Sequence, residues 1–467
     1  MGALTSRELI IAGSVIVYIL LTSVLAYALR SRTSAQFMVG SKALPAVVIG
    51  ILLMSEFIGA KSTVGTAQEA FEKGMAAGWS VHAAAIGFLL LGLLFARKVY
   101  RTEQHTISGI VEQRYGNGAR IVVSIIMIYA LLLVNVGNYV SGAAALSSAI
   151  HTNLTVSTFI IAAFSAVYYV FGGLKSIAYV TILHSLVKLA GIAILVAVAA
   201  ALSGGLEPIR NTLPPEYFTV EGMVGPNKIF AWIVGTVGAI FSTQYIIQAI
   251  ASNRNELAAR GSVLFAALLC LPLGFALGFI GVAARYLYPT QDSLYALPVF
   301  IEKMSPALAS VVTVSLVASV LVSVSTVALA TTALVMKDFY VPWRKPSPEG
   351  ELRATRLVAL AVGMLPLLCV FFTPHILELS FFTRALRLSI AIVACLGVYL
   401  PWLGSPRTAV ASLVASGVAT TAWYLLGNPY GIDNMYVAAV VPALVLAADR
   451  LIPGARGNAP GTQKVEP

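Results

Sequence analysis

The residues of this chain with the chemistry to act on a solute are ionisable side chains set inside long apolar runs. Glu56, Lys61, His184, Lys188, Arg384 and Arg387 all lie in such runs. A charge there is costly to bury, so it either pairs or works on a substrate or ion. Arg384 and Arg387 stand three residues apart, which on a helix puts both on one face. Guanidiniums so placed can grip a carboxylate through paired N–H donors. Glu56 leaves two readings open. It pairs with Lys61 or an arginine and is structural, or it meets a cationic substrate group or carries a coupling proton. His184 reads more simply as a hydrogen-bonded packing residue, with Lys188 one turn on. Glu378 stands near the start of the helix that carries the arginines.

The elements that must position these groups are membrane-spanning helices. Of 467 residues, 58% are hydrophobic and 10% charged, and the mean hydropathy is +0.88. A soluble domain carries about 25% charged residues. Apolar runs of about 20 residues suffice to cross a bilayer as helices. Thirteen spans are predicted, at 8–29, 45–70, 76–98, 119–149, 155–173, 176–203, 227–250, 258–285, 306–336, 354–373, 376–400, 406–426 and 434–451. The fold class is therefore an all-α membrane protein, with residues 1–453 forming one polytopic transport domain. The first span is too long for a signal-peptide core and reads as a retained helix.

The net charge of +11 does not point to nucleic acid, because Lys and Arg concentrate in loops on one side. Arg97, Lys98 and Arg101, then Arg254 and Arg260, then Arg344 and Lys345 all fall there, whereas Glu207, Glu216, Glu221, Asp292 and Glu302 fall on the other. The basic side is cytoplasmic. That places the N-terminus outside a cell membrane and the C-terminus inside, with residues 454–467 expected to be a disordered tail. Cys270, Cys369 and Cys395 show no metal spacing. No HExxH and no phosphate-binding glycine loop occurs, which argues against an enzyme. The expected partners are a small-molecule solute and membrane lipid, the expected unit is a monomer, and no cofactor is expected.

Two spans are unlike the rest. Residues 45–70 hold Ser55, Glu56, Gly59, Lys61, Ser62, Thr63 and Gly65; residues 227–250 hold Gly235, Thr236, Gly238, Ser242, Thr243 and Gln244. Glycine and small polar residues weaken a helix and free backbone groups, which a bilayer tolerates only inside protein or beside a wet cavity. The bland alternative is close helix packing. The two spans are five apart, which matches a five-plus-five inverted repeat broken at a substrate site near the bilayer middle. The repeats would cover about 45–203 and 227–400. Glu56, Gly59, Thr236, Ala239, Ile240, Gln244, Arg384 and Arg387 are the predicted substrate-site residues.

Several stretches then resemble the solute:sodium symporter family. They are Phe171-Gly-Gly-Leu-Lys-Ser-Ile-Ala-Tyr179, Glu56-Phe-Ile-Gly59, Thr106-Ile-Ser-Gly-Ile-Val-Glu-Gln-Arg-Tyr-Gly116, Gln244-Tyr-Ile-Ile-Gln248, and the Ser/Thr-rich run from Ser315 that ends Asp338-Phe-Tyr340. The matches keep one order over residues 45–400. The resemblance implies a LeuT-type fold with one extra helix before ten core helices and two after, and coupled import of a small solute. It implies a sodium site between the first and eighth core helices, with carbonyls from Ile49, Leu52 and Ser319 and a hydroxyl pair falling on Val322 and Ser323. Val322 has no side-chain oxygen, and the family's nearby Asp falls on Thr181; Ser325 or Thr326 could compensate one turn away. The resemblance also puts Glu56 where sugar-carrying members place a Gln. The expected activity is ion-coupled symport of a small charged or zwitterionic solute by alternating access. Sodium is the family's ion, and a proton is the alternative. A sensor or a channel is the rival class.

Overall fold

The computed structural model describes residues 5–39, 44–370 and 376–449. The chain is helical, and no strand forms among the described residues. The helices are α1 (Ser6–Ala28), α2 (Ala46–Phe57), α3 (Ala60–Lys73), α4 (Met75–Arg101), α5 (Ile107–Ile150), α6 (Leu154–Val167) and α7 (Gly173–Ser203). There follow α8 (Pro226–Ser242), α9 (Gln244–Ala251), α10 (Glu256–Leu287), α11 (Pro306–Val335), α12 (Pro348–Met364), α13 (Ile376–Tyr399), α14 (Pro406–Leu425) and α15 (Asn434–Ala448). By length and apolarity, eight helical stretches among the described residues can cross a membrane, or ten if each of two bent pairs is one span. The predicted spans 155–173 and 176–203 run on as one stretch, jointed where Gly173 takes φ +70°. The end of the predicted span 354–373 and the predicted tail 454–467 lie outside the described residues.

Helix starts follow local chemistry. Thr5 and Glu8 form a reciprocal capping box, and Thr106, Asn153, Asn255, Ser347 and Ser405 each accept a first-turn N–H. Proline opens α8, α11, α12 and α14, where its missing N–H costs nothing.

Burial sorts the helices into centre and rim. The span containing α11 is 83% buried within the molecule, against 28% for α1 and for α14. α11 is therefore the central post, and α1 and α14 turn their apolar faces outward. α11 packs on α5, on α7 and on both α2 and α3, while α13 packs on α5 and α8. Small residues allow the approach: a Cβ added to Gly142 or Gly191 would sit 2.6 Å or 2.0 Å from Val320 or Ser315 of α11.

Polar contacts join connecting segments at each end of the helix bundle. Arg101 pairs with Glu256 at 2.9 Å, and Lys337 donates to Gln104 and Thr106. On the opposite side Arg7 donates to the carbonyls of Ile301 and Glu302, and Lys228 pairs with Asp433 at 2.8 Å.

Candidate functional site

The first bent pair is α2 with α3, turned by 45°. A helix that stops leaves its last carbonyls without intrahelical partners, and here side chains take them up. The Ser62 hydroxyl donates to the Phe57 carbonyl at 2.8 Å. The Lys188 ammonium, reaching in from α7, donates to the carbonyls of Ser55 and Ile58 at 2.7 and 2.9 Å and to the Ser55 hydroxyl at 2.7 Å. A Cβ on Gly59 would lie 1.8 Å from Ser323 Oγ and 3.1 Å from the Glu56 carbonyl oxygen. Only glycine lets α11 come so close to the break.

The second bent pair is α8 with α9, turned by 47° at Thr243. Thr243 Oγ1 donates to the Ala239 carbonyl at 2.5 Å and accepts from Arg387 Nη1 at 2.9 Å. Ser242 Oγ donates to the Arg387 carbonyl at 2.6 Å. α13 is thereby stitched to the break, and its two arginines are held in place. Arg387 also donates from Nε to the Thr383 carbonyl at 2.9 Å. Arg384 Nη1 donates to Thr236 Oγ1 at 2.7 Å and reaches the Ser80 carbonyl at 3.5 Å. Its guanidinium carbon lies 5.2 Å from the Phe57 ring centre and 4.5 Å from that of Phe381.

Between the two breaks lies a small enclosed cavity lined by Glu56, Phe57, Lys61, Asn138, Tyr245, Arg384 and Arg387. Its volume is about 10 Å³, roughly the least that admits one water molecule. These side chains leave no room for a solute between them in this conformation. Three cationic side chains face one carboxylate around it. None of the three, nor Lys188, forms an ion pair with an acid among the described residues. Glu56 Oε2 is buried without a hydrogen-bond partner.

The predicted substrate-site residues divide. Glu56, Arg384 and Arg387 line the cavity, and Thr236 holds Arg384. Gly59 sits at the break against Ser323, and the Ala239 carbonyl caps Thr243. Ile240 lies against Gly87 of α4. Gln244 braces the segment before α5, accepting from Ile107 N–H at 3.0 Å and donating to the His105 carbonyl at 3.0 Å. Neither Ile240 nor Gln244 lines the cavity. Sequence reasoning missed Phe57, Asn138 and Tyr245. Asn138 carried a signal: with Asn135 it is a buried amide pair in the apolar second half of its helix, joined at 3.0 Å. Structural pairing of Glu56 with Lys61 or an arginine, one of its two readings, does not occur within ion-pair distance.

For the ion site, Ile49 and Leu52 lie inside α2, ahead of the break. Ser319 Oγ is turned back to the Ser315 carbonyl at 2.9 Å. The hydroxyls of Ser323, Ser325 and Thr326 are buried without partners. A buried hydroxyl in a helix ordinarily bonds a carbonyl of the preceding turn, so these three orphans, set within about one turn of the central post, leave hydroxyl oxygens open. Thr181 bonds back to the Ile177 carbonyl at 2.6 Å. His184 Nδ1 lies 2.5 Å from the Tyr18 hydroxyl, and its Nε2 is buried without a hydrogen-bond partner.

Comparison with known proteins bears on this architecture. A family model described as the sodium:solute symporter family matches residues 37–401. The sodium/pantothenate symporter of Escherichia coli (strain K12) is 22% identical over 374 residues, covering 75% of this chain and 77% of that protein. The sodium/myo-inositol cotransporter 2 of Sus scrofa is 26% identical over 275 residues, which is 52% of this chain but only 40% of the cotransporter. The solved structure of a Na⁺-coupled sialic acid symporter in a substrate-bound, outward-open state superposes with a TM-score of 0.82 at 16% identity, covering 95% of this chain and 98% of that one. At that identity the likeness concerns the fold, which is the expected LeuT type.

Proposed function

The chain belongs to the sodium:solute symporter family, and from that premise we propose that it imports a small organic anion, or a zwitterion with a carboxylate, together with Na⁺ by alternating access. One observation carries the substrate class: Lys61, Arg384 and Arg387 line a small cavity with Glu56 as the single acid. Uncompensated charge in a water-poor interior costs several kcal/mol per ion. A bound carboxylate is the counter-charge that would relieve it. Arg384 has donors to spare, since a guanidinium carries five N–H groups in a planar fork and only Nη1 has a protein acceptor among the described residues. Phe57 and Phe381 hold the plane of that fork.

The names of two relatives agree with an acid as cargo, pantothenate and sialic acid, while a third carries a neutral polyol. For the sodium ion, the Ser323 hydroxyl beside the break supports a position between α2 and α11, with Ile49, Leu52 and Ser319 contributing carbonyls. The proposed setting is a cell membrane with the N-terminus outside and the C-terminus in the cytoplasm.

Uptake of labelled monocarboxylates, dicarboxylates, amino acids and sugars into proteoliposomes tests the reading. Each is offered with an inward Na⁺ gradient, with choline in its place, and with a proton gradient alone. Concentrative uptake of a carboxylate that needs Na⁺ is expected. Uptake of a sugar but of no carboxylate overturns the substrate class, and uptake driven by the proton gradient alone overturns the ion.

A further inference from the structure

Lys188 does something that neither the motifs nor the substrate cavity requires. It is almost wholly buried on α7, and it does not line the cavity. Its ammonium spends all three N–H donors on the break of the first core helix: two carbonyls, of Ser55 and Ile58, and the Ser55 hydroxyl, at 2.7–2.9 Å. All three acceptors are neutral oxygens. A buried ammonium without an ion-pair partner is held at a cost, and a leucine would fill an apolar helix face without it. What the ammonium supplies is positive charge at carbonyls that a broken helix has exposed. Carbonyl oxygens from unwound helix, completed by a hydroxyl, are also the donor set that binds a small hard cation inside a membrane.

We propose that Lys188 is a resident cation of the α2/α3 break: its ammonium occupies, by covalent attachment, a place that Na⁺ takes once the ammonium is removed. Three consequences follow. The carbonyls of Ser55 and Ile58 are closed to Na⁺ in the native chain, so the transported ion binds elsewhere, beside Ser323. In the native chain the cation at the break is a lysine ammonium, near Glu56, rather than an exchangeable ion. The number of sodium ions the native chain binds is one fewer than it would bind with the ammonium removed. His184, one turn before Lys188, turns its Nδ1 to the Tyr18 hydroxyl.

The proposal rests on the symporter reading only in taking Na⁺ as the available cation, and its test reads binding rather than transport. Equilibrium ²²Na⁺ binding is measured on purified full-length protein in detergent, for the native chain and Lys188→Ala, with choline as the control salt. The alanine vacates the stem as well as the charge, leaving room for an ion and water. The expected result is one additional Na⁺ bound per chain in the variant. Equal stoichiometry in the two folded proteins overturns the proposal and makes Lys188 a strut. Should Lys188→Ala fail to fold, it and Lys188→Gln are extracted and purified in sodium chloride and in choline chloride. Recovery of folded protein in sodium alone supports a cation place, and recovery in neither salt overturns it. A substrate of the wrong class leaves these outcomes untouched, because no solute is added.

Discussion

Replacing Arg384 with glutamine separates a substrate-binding arginine from a structural one. On the proposed reading the bound carboxylate takes the free edge of the Arg384 fork. Truncating one partner of a buried, hydrogen-bonded charge pair costs about 2–5 kcal/mol. Taking about 3 kcal/mol, at about 1.4 kcal/mol per decade, affinity falls roughly 100- to 200-fold. Stability of the empty protein moves differently. Glutamine keeps an amide donor for Thr236, at present 2.7 Å from Arg384 Nη1. It forfeits the cation over Phe57 and Phe381, worth about 0.5–2 kcal/mol, and it removes a charge whose unpaired burial costs several kcal/mol. The melting temperature without substrate should therefore hold or rise. Thermal unfolding in detergent, titrated with the most stabilising carboxylate from a solute panel, gives both quantities from one experiment. A lowered melting temperature with unchanged carboxylate affinity would refute the reasoning, for then Arg384 serves the fold and not the solute.

Three further substitutions probe the parts around the cavity. Gly59→Ala drives a methyl group into Ser323, 1.8 Å from its oxygen, and overpacking of this kind costs about 1–3 kcal/mol; Ser323→Gly in the same chain should recover most of the lost melting temperature, which a double-mutant cycle measures. Gln244→Ala strips the Ile107 N–H and His105 carbonyl of their partner, a loss of about 1–3 kcal/mol; since Gln244 does not line the cavity, uptake rate and melting temperature should drop while carboxylate affinity stays put, and a matching fall in affinity would return Gln244 to the site. Val322→Ser restores the hydroxyl that the family pattern expects beside Ser323; one added oxygen worth about 1 kcal/mol should lower half-saturating Na⁺ about fivefold in uptake assays, and no change would move the ion away from this part of α11.

The helices were legible because lipid demands long apolar runs, and the breaks because glycine and small polar residues have few other uses at that depth. The family motifs carried the LeuT-type fold across residues that show no internal likeness by eye. Pairing was not legible. Glu56 and Lys61 stand far along the chain from Arg384 and Arg387, and sequence alone could not tell a self-satisfied cluster from one that awaits a counter-ion. Ile240 and Gln244 were assigned by nearness to a break, yet the helix keeps turning on both sides of it, and one residue lines a cavity while another nearby faces Gly87 or the loop at 105–107. Lys188 was visible as a charge, but its three acceptors include two backbone carbonyls, and a carbonyl leaves no mark in the sequence. The spacing of side chains shows where charge lies; where a helix opens its backbone depends on what packs against it.

The charge count around the cavity also bears on how solute and ion are coupled. With Lys61, Arg384 and Arg387 set against Glu56, the empty site repels a cation. A carboxylate that enters first removes that repulsion, and the same electrostatics makes bound Na⁺ improve the site for the carboxylate. Opposite unit charges on the order of 10 Å apart at an effective dielectric of about 20 interact by roughly 1.7 kcal/mol. Coupling between sites is reciprocal, so saturating Na⁺ should tighten carboxylate binding by somewhat more than tenfold, and saturating carboxylate should tighten Na⁺ binding by the same factor. Equilibrium titrations of each ligand at fixed levels of the other measure both factors. Arg387→Gln removes one of the cations that repel Na⁺, so Na⁺ should bind the empty variant more tightly than the empty native chain. If Na⁺ binds the empty variant no better, the repulsion is absent, and the link between ion and solute must come from closure of the helices rather than from charge.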